Sequence, residues 1–163
     1  QANLEDSDIL MNFINNYWKK GHILAKDKDF FLYEFQNENK LSSLNIKWQT
    51  LFEEINKSKQ NICIIPKNSE LLRLLIAGED HRFKFHSGVD VIALIRASWK
   101  TLILKQREGA STIAMQLVRV LTGKYDKTID RKLEEMFLAY QLTKYVSRQE
   151  ILSLYLSWNF SNP

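Results

Sequence analysis

The sequence predicts a mainly helical fold. Apolar residues recur every three or four positions along most of the chain, which is the spacing of one helix face. Ser, Thr and Asp residues precede several of these segments and can cap them, while Gly21 and Gly109 can end them. Hydrophobic residues make up 45% of the 163 residues. That proportion and length suffice for one domain with a core.

The first part of the chain contains fewer clear elements. Residues 4–20 have helical spacing and precede Gly21, and residues 44–55 predict a short amphipathic helix. Residues 30–35 are apolar and fit either a helix or a strand. Residues 61–65 predict a short strand that stops at Pro66. Within it lies the single cysteine, Cys63, which we interpret as a small core residue; no intrachain disulfide can form.

The second part predicts five helices in succession. Ser69 can cap the first, and Ser111 or Thr112 can cap the third. Residues 147–150, Ser-Arg-Gln-Glu, have the pattern of a capping box for the last. A turn at residues 122–124 separates the third helix from the fourth. The predicted spans are 69–78, 90–105, 112–121, 126–146 and 147–158.

The positive charge lies in the second half of the chain. Residues 1–78 hold ten Lys or Arg and ten Asp or Glu, whereas residues 79–163 hold 13 and nine. The excess either serves solubility or attracts phosphate, on a substrate or on an anionic membrane. Basic residues do not alternate with aromatic ones, so we expect no nucleic-acid partner. There is no glycine-rich phosphate loop, and the spacing of His81 and His86 is a weak metal signal.

No apolar run reaches the roughly 18 residues that cross a bilayer. No secretory apolar region is present either. Because the chain begins with Gln1 rather than Met, we expect a processed or trimmed product. A membrane anchor, if the protein has one, is then not present in this chain.

Residues 79–90 carry the densest chemistry. Glu79 follows an apolar run, where partial desolvation would raise the pKa of a carboxyl and suit it to proton transfer. Glu79 is therefore the leading candidate for a general base; the alternative is a helix-end carboxylate paired with Arg82 or Lys84. Asp80 either supports Glu79 or caps the following turn. His86 is more often a packing or hydrogen-bonding residue than a catalyst.

Two further blocks follow at helical spacing. Thr112, Gln116 and Arg119 fall on one helix face, which could hold phosphate or sugar hydroxyls together with the N–H groups of the helix start. The alternative is an ordinary capped amphipathic helix. Arg131, Lys132 and Glu135 occupy neighbouring turns of the next helix. They form either a simple ion pair or a cationic clamp beside an acid.

In order and type, these blocks resemble the peptidoglycan glycosyltransferases of family 51, which include the transglycosylase domain of penicillin-binding proteins and monofunctional transglycosylases. The pattern E-D-x-x-F-x-x-H-x-G covers residues 79–88, and G-x-S-T-I-x-x-Q-L covers 109–117. The pattern R-K-x-x-E covers 131–135, and I-L-x-x-Y-L covers 151–156. The resemblance spans about residues 62–158.

The resemblance implies a lysozyme-like glycosyltransferase fold with a small membrane-facing subdomain. It divides the chain into an N-terminal helical arm or linker, 1–60, and a transglycosylase-like catalytic core, 61–163. The implied activity is polymerisation of lipid II into β-1,4 glycan strands with release of undecaprenyl pyrophosphate. The implied location is the outer, periplasmic face of the bacterial cytoplasmic membrane. Lipid II, the growing glycan strand, the membrane surface and other cell-wall synthesis proteins are the implied partners.

The same resemblance assigns roles to individual residues. Glu79 is the implied general base, and Glu135 is the second carboxylate, which helps to position the donor pyrophosphate, if needed through a divalent cation such as Mg²⁺ or Mn²⁺. No organic cofactor is implied. Cationic side chains would neutralise the leaving group, and other polar residues would contact substrate. The cations are Arg119, Lys127, Arg131 and Lys132, and the other substrate-binding residues are Asp80, His86, Ser111, Thr112 and Gln116.

The chain departs from the family pattern at several positions. Arg119 stands where the family usually has Lys, and Lys127 stands where it usually has Arg. Met115 stands where Gln is common, and Ser157 stands where Asn is usual. Family domains continue beyond the position of Pro163, so we expect a fold truncated at its C-terminal end, either a fragment or a minimal homologue. The alternative function is a weak or inactive homologue that binds lipid II, a moenomycin-like inhibitor or a cell-wall partner. A glycan hydrolase is a third and weaker hypothesis.

Overall fold

The computed structural model describes residues 38–60, 62, 64–66, 69–103, 105 and 109–161, and these ranges contain helices and connecting segments but no strand. The predicted mainly helical class is thus confirmed. The helices are α1 (Glu38–Lys59), α2 (Glu70–Glu79), α3 (Val91–Ile103), α4 (Ile113–Thr122), α5 (Ile129–Tyr145) and α6 (Arg148–Ser161). The described residues from 46 onward belong to one compact unit.

Helix α4 lies at the centre of the core and packs against α5 and α6. Its residues Ile113, Ala114 and Leu117 have no exposed surface. Apolar residues of α5 and α6, such as Leu142 and Ile151, are equally buried. Each buried Leu or Ile side chain contributes roughly 1.5–3 kcal/mol through burial. The opposite face of α4 carries the half-buried Gln116 and Arg119. Packing of the apolar face in the core therefore fixes the position of these two polar residues.

Local capping signals explain where these helices begin. The Thr112 hydroxyl accepts a hydrogen bond from the Met115 N–H at 3.2 Å, and Gly123 ends α4 in a left-handed conformation with φ of 62°. The predicted capping box of α6 is confirmed, because Ser147 and Glu150 each bind the other's backbone N–H. Ser69 occupies the N-cap position of α2, but its side chain makes no capping hydrogen bond.

Two predictions need correction, and three lie outside the described residues. Helix α5 starts at Ile129, capped by Thr128, rather than at residue 126. The predicted strand over 61–65 is not formed at the described residues; instead, Ile65 donates its N–H to Ser153 Oγ at 3.0 Å and accepts from Gln149 Nε2 at 2.9 Å. Side chains of α6 thus take the bonds that a partner strand would make. The predictions for residues 4–20, residues 30–35 and Cys63 fall outside the described residues.

Candidate active site

The motif loop, residues 80–90, is held against α4 and α5. Gly88 has a φ of 82°, and a Cβ atom there would lie 2.2 Å from the backbone oxygen of Ala139. Only glycine combines this backbone conformation with so close an approach. The Thr112 hydroxyl donates to the Gly88 carbonyl oxygen at 2.5 Å. The loop therefore packs tightly on α4 and α5, which carry two of the other three motifs.

Asp80 and His86 form an internal link within this loop. The Asp80 carboxylate is buried and lies 2.9 Å and 3.1 Å from His86 Nε2. It also accepts from the backbone N–H of Ile113 at 3.1 Å, so it satisfies one of the N–H groups at the start of α4 that have no partner within the helix. The polar atoms of Asp80, and the buried hydroxyl of Thr112, are thus directed to protein groups. Their predicted contacts with substrate stay predictions.

Glu79 is the last residue of α2, and it is exposed. The expectation of a partly desolvated carboxylate is therefore wrong. Gln116 Nε2 donates to Glu79 Oε2 at 3.0 Å, and the Tyr155 hydroxyl donates to Gln116 Oε1 at 2.8 Å. Arg82 does not pair with Glu79, because its Nε lies 2.9 Å from Asp90 Oδ2. The carboxylate of Glu79 thus faces solvent with one side held by an amide.

Glu135 has the opposite environment, with a side chain only 2% exposed. Arg119 donates to it twice, from Nε at 3.1 Å and from Nη2 at 2.9 Å. Lys132 Nζ donates at 3.0 Å, and Arg131 Nη1 forms a further ion pair. Ser111 Oγ accepts from both Arg119 and Lys132, at 3.2 Å and 2.8 Å. We call Ser111, Arg119, Arg131, Lys132 and Glu135 the Glu135 cluster.

Charge pairing dominates the titration of this cluster. Burial alone would raise the pKa of the Glu135 carboxyl, but the Arg119 hydrogen bonds and the Lys132 charge outweigh burial and hold that pKa below its ordinary value. Burial lowers the pKa of Lys132, the charges of Arg119 and Arg131 add to this effect, and Glu135 opposes it. Glu135 is therefore an anion at neutral pH that gathers cationic groups around itself.

Both carboxylates bind to the same face of α4. Gln116, which holds Glu79, precedes Arg119, which holds Glu135, by three residues, and such residues are neighbours on a helix surface. A small pocket between α4 and α5 adjoins the cluster and is lined by Arg119, Arg131 and Glu135, among others. Lys127 is exposed in the segment before α5. The structure thus brings together most of the predicted charged site residues.

Contacts of two residues near the candidate site, Tyr155 and Lys47, escaped the sequence analysis. Tyr155 reaches Gln116 across 39 positions in the chain, and its only signal was its place in the I-L-x-x-Y-L segment. Lys47 of α1 bonds to Glu134 at 2.7 Å, and Lys124 bonds to the same carboxylate at 2.5 Å. No sequence signal linked Lys47 to this region. Together these cations lower the pKa of Glu134 against the opposing effect of burial.

The residues around Glu135 do not fit a divalent cation. Both carboxylate oxygens accept hydrogen bonds from cationic groups, and Mg²⁺ or Mn²⁺ needs several oxygen ligands without competing positive charge. Among the described residues, no group of three or more His, Cys, Asp or Glu side chains is arranged to hold a metal ion. The predicted divalent cation therefore stays a prediction, and no step below depends on it.

Known proteins match the region just described. A family model described as transglycosylase matches residues 47–160. A candidate transglycosylase of Cupriavidus necator is 42% identical over 88 residues, which are 54% of this chain and 38% of that protein. Penicillin-binding protein 4 of Bacillus subtilis is 33% identical over 117 residues, 69% of this chain and 19% of that protein. Penicillin-binding protein 1A of Vibrio cholerae is 40% identical over 89 residues, 54% and 11% respectively.

The matched segments cover less than two fifths of each of these relatives. Within the described residues, no helix combines the length and the apolar character needed to cross a bilayer. The family match covers all four motifs and both carboxylates, and the helical architecture agrees with the lysozyme-like glycosyltransferase fold that the motifs implied. By its residues 47–160, this chain belongs to the transglycosylase family, the glycosyltransferases of family 51.

Proposed function

We propose that this chain is a peptidoglycan glycosyltransferase that polymerises lipid II into β-1,4 glycan strands and releases undecaprenyl pyrophosphate. The observation that carries the proposal is the pairing of an exposed carboxylate with a cationic cluster along one face of α4. Transfer from a sugar diphosphate needs a base for the attacking hydroxyl and positive charge for the leaving group. The family match supports the same reaction.

Glu79 is the proposed general base. It takes the proton of the acceptor 4-hydroxyl as that oxygen attacks the anomeric carbon of the donor. The bond between this carbon and the diphosphate oxygen breaks, the configuration inverts, and the electron pair leaves with the lipid pyrophosphate. An exposed carboxylate at the end of α2 can reach a bound sugar, and only one hydrogen bond to a described residue restrains it.

The Glu135 cluster is the proposed site of the diphosphate. Three cations surround one carboxylate, so the cluster carries a formal charge of about two positive units, which matches the two negative charges of a sugar diphosphate diester. Bond cleavage adds a third negative charge, for which the exposed Lys127 is the nearest candidate along the chain. Glu135 then acts by holding Arg119, Arg131 and Lys132 in place, while Ser111 and Gln116 complete the polar surface.

The substrate's lipid tail requires contact with a membrane surface, and we propose this at the outer face of the bacterial cytoplasmic membrane. Large apolar side chains are exposed on α2, the motif loop and α3: Leu74 by 67%, Phe85 by 78% and Trp99 by 65%. Aromatic and aliphatic side chains of this kind favour the membrane interface. Binding of the protein to anionic vesicles, reduced by the triple change Leu74→Ser, Phe85→Ser and Trp99→Ser, tests this point.

The activity is tested with detergent-solubilised lipid II. We expect glycan strands and lipid pyrophosphate from the unchanged chain and no product from Glu79→Gln. The matched control is Glu70→Gln, which alters an exposed carboxylate at the other end of the same helix and should leave turnover intact. Binding of lipid II without any turnover would instead support the alternative of an inactive lipid II-binding homologue. Muropeptide release from sacculi would support a hydrolase.

A further inference from the structure

A chain of hydrogen bonds joins three helices at Glu79. The Tyr155 hydroxyl of α6 donates to Gln116 Oε1 of α4 at 2.8 Å. The other end of the same amide, Gln116 Nε2, donates to Glu79 Oε2 of α2 at 3.0 Å. Among the described residues, no other side chain donates to the Glu79 carboxylate. Its position therefore depends on the Gln116 amide.

The chemistry of the three groups allows one arrangement. A carboxylate only accepts hydrogen bonds, so the nitrogen of the amide must face Glu79 and the oxygen must face Tyr155. A reversed amide would place two oxygen atoms in contact. The Tyr155 hydroxyl then has to donate, since the amide oxygen has no proton. Tyr155 thereby anchors the amide in the orientation that Glu79 requires.

Burial makes Tyr155 a firm anchor. Its side chain is 9% exposed, whereas Glu79 lies in solvent. Burial, and after it the negative charge of Glu79, raises the pKa of Tyr155. The hydroxyl therefore keeps its proton and remains a donor at neutral and mildly alkaline pH. Without the hydrogen bond from Gln116, the exposed Glu79 side chain would be free to rotate among several conformations.

We propose that Tyr155 is a positioning residue for the reaction: through Gln116 it holds Glu79 Oε2 and leaves Oε1 to take the proton of the acceptor hydroxyl. The inference rests on the proposed function, because it assigns Tyr155 a part in the same proton transfer. Tyr155 touches no reacting atom in this account. Its contribution comes from the fraction of time that Glu79 spends in the reactive orientation.

The kinetic test compares Tyr155→Phe, which removes only the hydroxyl, with Gln116→Met, which removes the amide at similar length. Each should lower kcat with lipid II by about 3- to 10-fold, the worth of one hydrogen bond, and Tyr155→Phe should leave KM unchanged. The double variant should be no slower than Gln116→Met alone. Tyr145→Phe is the matched control, because no described residue bonds to that hydroxyl, and it should match the unchanged chain.

Several outcomes would overturn the inference. Undiminished kcat in Tyr155→Phe, or a double variant slowed by the product of both single effects, would show that Tyr155 does not act through Gln116. In either case the proposed function survives, because the unchanged chain still turns over lipid II. No turnover by the unchanged chain would overturn the proposed function and this inference together.

A second measurement does not depend on activity. In ¹⁵N-labelled protein, the side-chain amide signals of Gln116 can be assigned by their absence in Gln116→Met. We expect these signals to shift in both Tyr155→Phe and Glu79→Gln and to stay in place in Tyr145→Phe. Unshifted signals in Tyr155→Phe would refute the proposed anchoring even if kcat falls.

Discussion

Two carboxylates bind to one face of α4, and their surroundings are opposite. Glu79 is exposed and, among the residues that the structure describes, accepts one hydrogen bond, from a neutral amide. Glu135 is buried and accepts from two arginines and a lysine. A carboxylate open to solvent and lightly held can accept a proton from a substrate, whereas one saturated with cations cannot easily do so. This contrast supports the proposed roles: proton transfer for Glu79 and the organisation of positive charge for Glu135.

Neutralising Glu135 should have the largest effect on stability. We expect Glu135→Gln to lower the free energy of unfolding by about 3 kcal/mol, because it leaves three cationic groups without their shared counter-charge. Urea denaturation measures this loss. The matched control is the adjacent Glu134→Gln, whose partners Lys47 and Lys124 are 40% and 42% exposed; it should cost no more than about 1 kcal/mol. Equal losses in the two variants would contradict the account.

Acid should weaken the contribution of Glu135 to stability. The folded-state pKa of Glu135 is lowered, so its contribution to stability is complete above its unfolded pKa of about 4.3. That contribution disappears as the pH falls through the folded value, because the unfolded chain then binds more protons. Urea midpoints between about pH 6 and pH 3 should therefore fall more steeply for the unchanged chain than for Glu135→Gln. Parallel curves would show that Glu135 is not held as an anion.

Arg119→Lys sharpens the description of the cluster. A lysine cannot reproduce the two hydrogen bonds of Arg119 to Glu135 together with its bond to Ser111. We expect a loss of about 1 kcal/mol in the free energy of unfolding, with the positive charge retained. Arg73→Lys, at an exposed position of α2, is the control and should have little effect. An unchanged free energy of unfolding in Arg119→Lys would mean that only the positive charge is needed at this position.

The smallest expected effect is on the ionisation of Tyr155. Burial first, and then the charge of Glu79, raise the pKa of this phenol. In Glu79→Gln the second contribution is absent, so the phenol should ionise at a lower pH than in the unchanged chain. The difference in ultraviolet absorbance between each protein and its Tyr155→Phe counterpart isolates this one tyrosine among six. An unchanged titration would place Glu79 too far from Tyr155 to influence it.

Sequence patterns predicted the elements that depend on neighbouring residues. The capping box at Ser147 and the cap at Thr112 are set by residues within three positions, and both formed as expected. The start of α5 was misplaced because Asp126 and Thr128 are both capping residues, and local pattern does not choose between them. The predicted strand near Ile65 failed because its backbone is bound by side chains of α6, more than 80 residues away.

The candidate site was predicted in its residues but not in its environment. The apolar run before Glu79 suggested burial, yet Leu71 and Leu74 in that run are themselves 46% and 67% exposed. Helical spacing placed Gln116 and Arg119 on one face, but it could not show that each one binds a different carboxylate. The contacts of Tyr155 and Lys47 arise from the packing of distant helices. Such contacts have no signature in a single sequence.

Turnover of lipid II by Glu79→Gln tests the central claim most directly. We predict that kcat falls by about 10²- to 10⁴-fold, the usual contribution of a general base, while the free energy of unfolding changes by less than about 0.5 kcal/mol, as expected for an exposed side chain. Turnover by Glu79→Gln within a few-fold of the unchanged chain would contradict the account and remove Glu79 as the base.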